Sequence, residues 1–276
     1  MSDLRLAFFG DTVGSLGRRA VAHAIPRLRA ERSVRLFFAN GENSRNGSGL
    51  SPDNYRELLR SGVHAVTLGD HWAKDRQIVP ILEDPHEPIA RPANLAPGAP
   101  GKRFASINEP GLPPLALVTV LGRMYMPFPS DNPFAAVDLA MTEIAAAAPD
   151  ALVVLEIHGE ATSEKQAMAW HALDRHTGGP GPRVVAVVGS HTHVQTADAR
   201  ILDHRLAAIT DLGMCGPHRS VIGRDIRATL DSMVRQLPSP LDIASDDNRA
   251  CGVVVTIDLN GRRASEVEAI SVRVPD

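Results

Sequence analysis

Leu6-Ala7-Phe8-Phe9-Gly10-Asp11 is a short apolar run that ends in a glycine and a carboxylate, and this pattern indicates the fold of the chain. In α/β proteins, ligands bind just beyond the carboxyl ends of the strands. Polar side chains at several strand ends can therefore converge in space although they lie far apart in the sequence. The same pattern, an apolar run followed by carboxylate, amide or imidazole groups, occurs again at residues 36–43, 65–71, 152–158 and 184–193.

The first half of the chain alternates between strand and helix signals. Apolar residues at helical spacing predict a helix over 16–32, with a kink or a break at Pro26. A serine followed by proline predicts the start of a second helix over 52–62, and a third helix is expected around 77–82. Eight prolines exclude regular helix from most of residues 84–114.

The second half becomes rich in strands. A strand is expected at 115–120, and a helix that opens at Asn132-Pro133 should end before Pro149. A capping box is expected at the next helix, with Ser163 as the cap and Gln166 as its partner. Three later strands, without helices between them, are predicted at residues 206–209, 252–259 and 267–274. We therefore expect a single domain, residues 1–276, in which two packed sheets are covered by helices.

Composition excludes several classes of protein. The formal net charge of −3 and the pI near 6.4 provide no basic surface for long nucleic acid. No apolar run approaches the roughly 20 residues needed to span a membrane, and the N-terminus lacks a signal-peptide pattern. Two cysteines do not suggest a disulfide framework. We expect a soluble, cytoplasmic protein with no membrane partner.

The polar residues at the five strand ends suit a metal centre. Each alone has an ordinary explanation, such as a helix cap or a buried histidine, but their co-occurrence favours a site for two ions. Mixed carboxylate, amide and imidazole groups suit Mn, Fe or Zn better than Ca or Mg. Two ions about 3.5–4 Å apart need a bridging ligand, and Glu42 is the candidate. The candidate residues are Asp11, Glu42, Asn43, Asp70, His71, His158, His191 and His193.

His191 and His193 alternate along an extended segment. The two rings can reach different metal ions if the backbone bends there. Asp211, which follows a later strand, is a candidate for orienting a ligand histidine. Residues 123–127 could form a wall for a nucleobase or a contact between subunits.

The strand-end motifs together resemble the YmdB-like branch of the calcineurin-type metallophosphoesterases, in matching order from residue 4 to about 225. The resemblance implies a four-layer α/β/β/α sandwich with a dinuclear metal centre. It also implies a metal-dependent phosphodiesterase, with 2′,3′-cyclic nucleotides as an associated substrate. The motifs that carry it are Gly10-Asp11-Thr12-Val13-Gly14, Asn40-Gly41-Glu42-Asn43, Gly69-Asp70-His71, residues 158–165 and residues 189–196, with support from residues 91–94 and 210–214.

The resemblance also implies a role for each candidate residue. Asn43 would be a further ligand or would orient the phosphate, and His71 would protonate the leaving oxygen after a metal-bound hydroxide attacks phosphorus. The expected cofactors are two divalent ions, Fe or Mn first, with Zn or Mg as alternatives. A small phosphodiester or nucleotide is the expected partner, and a homo-oligomer is implied. With Glu42 as the bridge, the expected ligands are Asp11 and His193 for one ion and Asp70, His158 and His191 for the other.

One position departs from the family pattern, which has asparagine where this chain has Asp70. An aspartate can coordinate through the same oxygen position, but it adds a negative charge. We therefore expect tighter cation binding and weaker attraction for phosphate. Two alternatives stay open: a phosphomonoesterase with the same centre, and a metal-binding regulatory protein with weak catalysis, against which His71 argues.

Overall fold

Two six-stranded sheets and six α-helices make up the computed structural model, which describes residues 3–240 and 242–275. The ends of the expected domain, residues 1–2 and 276, lie outside the described residues. In chain order the strands are β1 (Asp3–Thr12), β2 (Leu36–Asn40), β3 (Ala65–Thr67), β4 (Phe104–Ile107), β5 (Leu115–Leu121), β6 (Leu152–His158), β7 (Arg183–Ser190), β8 (Arg200–Leu202), β9 (Leu206–Ile209), β10 (Met214–Pro217), β11 (Asn248–Asp258) and β12 (Arg263–Arg273). The helices are α1 (Gly14–Arg32), α2 (Pro52–Arg60), α3 (Val79–Glu83), α4 (Pro133–Ala147), α5 (Thr162–His176) and α6 (Ile226–Arg235).

The first sheet has the strand order β12-β11-β10-β1-β2-β3, and the second has the order β4-β5-β6-β7-β9-β8. Strands β10, β1, β2 and β3 run parallel, as do β5, β6, β7 and β9. Strands β5 and β6 are buried at every residue, the near-continuous apolar character that parallel strands require when both faces are covered. The carboxyl ends of each parallel set lie at one edge of its sheet.

Three buried clusters hold the layers together. One joins the two sheets, a second joins the first sheet to α1 and α2, and a third joins the second sheet to α4 and α5. The prediction of an α/β fold with two packed sheets is confirmed, and the clusters support its finer form, the α/β/β/α order of layers.

Neighbouring phenylalanines on β1 and β2 show how the first sheet serves two of these clusters. Phe8 and Phe38 meet edge to face at 6.1 Å in the cluster between the sheets, whereas Phe9 and Phe37 stack at 6.3 Å beneath the helices. Side chains alternate between the two faces of a strand, so this apolar run supplies both cores at once. Burying each ring contributes roughly 1.5–3 kcal/mol.

Several helix predictions are confirmed and two need correction. Ser51 caps α2 by accepting a hydrogen bond from Asn54 N at 3.2 Å. The capping box at Ser163 is wrong: α5 begins at Thr162 after Ala161, and no side chain caps it. Helix α1 runs through Pro26 without interruption. Pro26 is exposed, so water can bond the carbonyl that loses its amide partner.

The expectation of late strands without helices is also wrong, because α6 lies between β10 and β11. Only Thr229 of this helix is buried, so α6 contributes little to the apolar core. A short strand, β4, occupies part of the proline-rich stretch and pairs with β5 in antiparallel fashion. Among residues 3–240 and 242–275, no helix has the length and apolar character required to cross a membrane.

Candidate metal centre

The candidate residues meet where the carboxyl ends of the parallel strands of both sheets face each other. Asp11 lies near the end of β1 and pairs in register with Asn40, the last residue of β2. His158 is the last residue of β6 and lies opposite Ser190, the last residue of β7. The remaining residues follow directly: Glu42 and Asn43 after β2, Asp70 and His71 after β3, and His191 and His193 after β7.

His158 is the hub at which the two sheets meet. Its ring is fully buried, and its Nε2 lies 3.1 Å from Glu42 Oε1 and 3.1 Å from Asp70 Oδ1. The same nitrogen lies 3.1 Å from His191 Nδ1. Possible metal ligands at the end of β6, after β7 and at the edge of the first sheet therefore converge at His158 Nε2.

Three overlapping groups of possible ligands share these residues. Within each group the ligand atoms lie within 4.8 Å of one another. The groups overlap at Glu42, Asp70 and His158, and their members are Asp70, His158 and His191; Asp11, Glu42 and His158; and Glu42, Asp70 and His71. Overlap of this kind is what two adjacent ions with a shared carboxylate would require.

His193 and Asn43 border the same cluster on the side of Asp11. Asn43 Nδ2 lies 3.3 Å from Asp11 Oδ1 and 3.2 Å from His193 Nε2. His193 Nδ1 lies 2.9 Å from the carbonyl oxygen of Ile222, so Nδ1 carries the proton and donates it there. That hydrogen bond leaves Nε2 as the nitrogen that can bind a metal ion.

The backbone bends at His191 and His193, which is the bend expected from the sequence if the two rings reach different ions. Their φ angles are 100° and 66°, in the left-handed region that residues other than glycine seldom occupy. His191 N also donates to Asp11 Oδ2 at 3.0 Å, which ties the bend to β1. Strain of this kind persists only where surrounding contacts hold it.

A buried ion pair supplies those contacts. Asp211 and Lys165 are 1% and 3% exposed, and Lys165 Nζ lies 2.7 Å from Asp211 Oδ2. The same carboxylate oxygen accepts hydrogen bonds from Thr192 N at 3.1 Å and from Thr192 Oγ1 at 2.8 Å. Asp211 was the candidate for orienting a ligand histidine, and its carboxylate bonds the backbone and side chain of the intervening residue. Asp211 holds Thr192, the residue between the two histidines.

Glu156 is a buried support that the sequence interpretation missed. Its carboxyl group accepts hydrogen bonds from Asn40 Nδ2 at 2.8 Å, Ser190 Oγ at 2.7 Å and Thr119 Oγ1 at 2.9 Å. Ser190 Oγ lies 2.8 Å from His158 Nδ1, and because its own proton goes to Glu156 it accepts the proton of that nitrogen. His158 Nε2 is thereby left free to bind a metal ion. Glu156 and His158 are two residues apart on β6 and therefore lie on the same face of the strand. This spacing could have identified Glu156 as a neighbour of the site.

His71 lies at the open side of the cluster. Its side chain is 30% exposed, and its Nδ1 lies 2.9 Å from Asn43 Oδ1, an oxygen that can only accept. The backbone N of His71 donates to Glu42 Oε2 at 2.9 Å. His71 Nε2 is therefore the nitrogen available for proton exchange with a bound ligand.

The protonation of the cluster reflects its crowded carboxylates. Burial would raise the pKa of Glu42, but the adjacent His158 imidazole lowers it below its ordinary value. Burial opposes the shift at Asp70 too, yet hydrogen bonds from His158 and His191 lower the pKa of that carboxyl. Burial would lower the pKa of His158, but attraction to Glu42 and the hydrogen bond to Asp70 raise it well above its usual range. The carboxylates thus draw positive charge to the cluster, a role that metal cations fit.

Glycine is required at the position before Asp70. A Cβ atom on Gly69 would lie 2.3 Å from the His158 ring and 2.4 Å from Glu42 Oε2. The backbone at Gly69 is therefore packed so closely against His158 and Glu42 that no side chain fits there. Such closeness, with the donor set of carboxylate, amide and imidazole groups, fits a compact metal centre.

Comparison with known proteins places this geometry in context. The family model described as YmdB-like protein matches residues 7–270. A Bacillus subtilis protein named 2′,3′-cyclic-nucleotide 2′-phosphodiesterase is 37% identical over 269 residues, covering 98% of this chain and 97% of its own length. A crystal structure of a hypothetical protein from Thermus thermophilus is 35% identical, with a TM-score of 0.86 over 99% of this chain and 100% of the other. The structure of a phosphatase from Mycoplasma pneumoniae is 26% identical, with a TM-score of 0.86 over 99% and 94% of the two chains.

Proposed function

Because the chain belongs to the YmdB-like family, we propose that it is a metal-dependent phosphodiesterase that hydrolyses a small phosphodiester, with a 2′,3′-cyclic nucleotide as the substrate. The observation that carries the proposal is the convergence of three carboxylates and two further imidazoles around His158, namely those of Asp11, Glu42, Asp70, His71 and His191. The name of the Bacillus subtilis relative, a 2′,3′-cyclic-nucleotide 2′-phosphodiesterase, supports the choice of substrate.

The described side chains would divide between two ions. Asp11 and His193 would hold one ion and Glu42 would lie between the two, with Asn43 beside Asp11 as a further ligand or as a donor to the phosphate. When bound, two divalent cations would activate a water molecule and offset the negative charge of the phosphate. We expect Fe or Mn, with Zn or Mg as alternatives. The second ion would be held by Asp70, His158 and His191.

His71 is the proposed general acid. Its Nδ1 is engaged by Asn43, and its partly exposed ring can present Nε2 to the leaving ribose oxygen. Protonation of that oxygen lets the P–O bond break without expelling an alkoxide. Asn43 and the backbone contact to Glu42 fix the orientation of the ring. Because Nδ1–H donates to Asn43, the proton that His71 gives to the leaving oxygen is carried on Nε2.

The experiment that tests the proposal measures hydrolysis of 2′,3′-cyclic AMP by chelator-stripped protein before and after addition of Mn²⁺. We expect turnover only with the metal. No turnover by protein that is folded and loaded with metal would contradict the proposal and would favour a binding or regulatory role.

A phosphomonoesterase with the same centre is the second candidate function. The observation that favours it is the similarity to the Mycoplasma pneumoniae protein described as a phosphatase. Measuring phosphate release from 2′-AMP and 3′-AMP beside hydrolysis of 2′,3′-cyclic AMP separates the two candidates. Faster release from the monoesters would favour the phosphomonoesterase.

A further inference from the structure

A pocket of about 430 Å³ opens directly beside the metal centre. Asp70 lines both the pocket and the centre, so a ligand bound by the ions would extend into this space. The volume lies within the range of roughly 300–1,000 Å³ that is usual for small-molecule sites. The other walls are formed by Trp72, Ala73, Lys74, Pro127 and Phe128.

Trp72 is held in place on the side of the first sheet. It follows His71 directly, and its backbone N donates to the carbonyl oxygen of Gly69 at 3.1 Å in a tight turn. Its side chain is partly buried and packs against the apolar cluster beneath the helices. The remaining ring surface faces the pocket, so little conformational entropy is lost when a ligand contacts it.

Phe128 and Pro127 lie in the loop between β5 and α4, which is fastened at both ends. Glu164 accepts hydrogen bonds from Arg123 N at 2.9 Å and from Met124 N at 3.2 Å. Asn94 Nδ2 donates to the carbonyl oxygen of Asp131 at 3.0 Å. Because both ends of the loop are held by these hydrogen bonds, the phenyl ring of Phe128 in the middle of the loop is kept at the pocket wall.

Lys74 adds a positive charge at the same wall. Its side chain is exposed and forms no ion pair with any carboxylate in the described part of the chain. Aromatic rings beside such a cation are the combination that binds nucleotides without strong base preference, because every base has a face that can stack. A plain alkyl phosphate would make no use of the rings.

From these features we infer that the pocket is the nucleobase subsite of the enzyme, in which Trp72 and Phe128 stack on the base and Lys74 attracts the anionic nucleotide. This inference rests on the proposed function, since the base is taken to enter while its cyclic phosphate lies at the ions. Residues 123–127 were expected from the sequence to form either a base wall or a contact between subunits; of these, the inference assigns Pro127 to the base wall, beside Phe128.

The test compares two cyclic phosphodiesters, 2′,3′-cyclic AMP and glycerol 1,2-cyclic phosphate, which lacks a base. For Trp72→Ala and for Phe128→Ala we expect kcat/KM on cyclic AMP to fall by about fivefold or more, through KM, as stacking energies imply. The same variants should change kcat/KM on the glycerol compound by less than about twofold on that basis. Trp170→Ala, at a half-exposed tryptophan on α5, is the matched control. Equal losses on both substrates, or none on either, would overturn the assignment.

A second measurement does not depend on turnover. The chain has two tryptophans, so Trp170→Phe leaves Trp72 as the sole tryptophan fluorophore. Titration of this metal-loaded variant with AMP should quench the fluorescence of Trp72 with saturation, whereas ribose 5-phosphate should not. Quenching by AMP in a protein that hydrolyses neither diester would retain the subsite and reject the proposed reaction. Hydrolysis without quenching would retain the reaction and reject the subsite.

Discussion

Asp70 shows how a single carboxylate alters a metal centre. The Asp70 oxygen lies 3.1 Å from His158 Nε2 and 3.6 Å from His191 Nδ1, where an amide oxygen would lie in the family pattern. The third carboxylate would offset one more positive charge of the proposed ions. It would therefore favour cation binding and weaken the field that attracts phosphate.

We predict that Asp70→Asn weakens Mn²⁺ binding by about tenfold and lowers KM for the diester, because one negative charge leaves the centre. Isothermal titration with Mn²⁺ and steady-state kinetics measure the two effects. The amide retains the shape and the oxygen of the carboxylate, so the substitution is its own steric control. Unchanged rate, KM and metal affinity would show that the charge is not felt at the site.

We predict that His71→Asn lowers kcat for 2′,3′-cyclic AMP by about 10²–10⁴-fold, because the leaving oxygen loses its acid. Bis(p-nitrophenyl) phosphate should be affected much less, since its leaving group departs without a proton. Metal content, measured by elemental analysis, should not change. A loss of metal would instead make His71 a ligand, as its place beside Glu42 and Asp70 allows.

Single residues of the centre were predictable to different degrees. The eight strand-end residues were found because each follows an apolar run, and the structure brings them together. The family resemblance is confirmed by the match over residues 7–270. Glu156 and Lys165 were missed, because a buried charge acquires a partner only through contacts between distant segments.

At the scale of elements, the conformation of the turn after β7 sets the directions of the His191 and His193 rings. Asp211 after β9 holds this turn through Thr192, and Lys165 on α5 forms an ion pair with Asp211. Removing one partner of a buried ion pair is costly, because the other charge stays buried and unpaired.

We predict that Lys165→Met and Asp211→Ala each lower the free energy of unfolding by about 3 kcal/mol, measured by urea denaturation. Only Asp211→Ala should also weaken Mn²⁺ binding, since it alone releases Thr192. The double variant Lys165→Met/Asp211→Leu should regain part of the stability but not the metal affinity. Equal metal affinity in all three variants would mean that the turn holds its shape without Asp211.

Strands and helices were predicted correctly where burial determines the pattern of apolar residues. The buried strands β1, β2, β5, β6 and β7 were predicted from their apolar runs. Helix α6 was missed although Asp225 caps it, because its apolar residues are mostly exposed and it adds little to a core. The cap of α5 was misplaced because the Ser163 pattern is a local sequence signal. In the structure the helix begins at Thr162, directly after Ala161, on the segment that follows β6.

At the scale of the whole molecule, the proposed centre joins the two sheets. Asp11 lies in β1 of the first sheet, and Glu42 and Asp70 follow β2 and β3 of the same sheet. In the second sheet, His158 is the last residue of β6 and His191 follows β7. Cations shared by the two sets would stabilise the packed sheets as one unit, which is the single domain expected from the sequence. The homo-oligomer and the cytoplasmic location remain predictions.

We predict that metal-loaded protein unfolds in one transition and that stripping the metal lowers the free energy of unfolding. With free Mn²⁺ at a hundred times its dissociation constant, the difference should be about 2.7 kcal/mol for each independent site. Urea denaturation with and without chelator measures it. As a control, the variant Asp11→Ala/Asp70→Ala should show little response to the metal. Two separate transitions would contradict the single domain.

The strand order of the first sheet has a consequence for synthesis on the ribosome. Asp3 of β1 pairs with Asp258 of β11, so β1 waits for a partner strand that is made much later. At roughly 5–20 residues per second, that wait is roughly 10–50 s. Throughout it, Leu4, Leu6 and Phe8 belong to an unfinished sheet, and such an edge invites pairing with other nascent chains. A premature stop before β11 would keep every proposed metal ligand and still leave a chain that depends on chaperones to avoid aggregation.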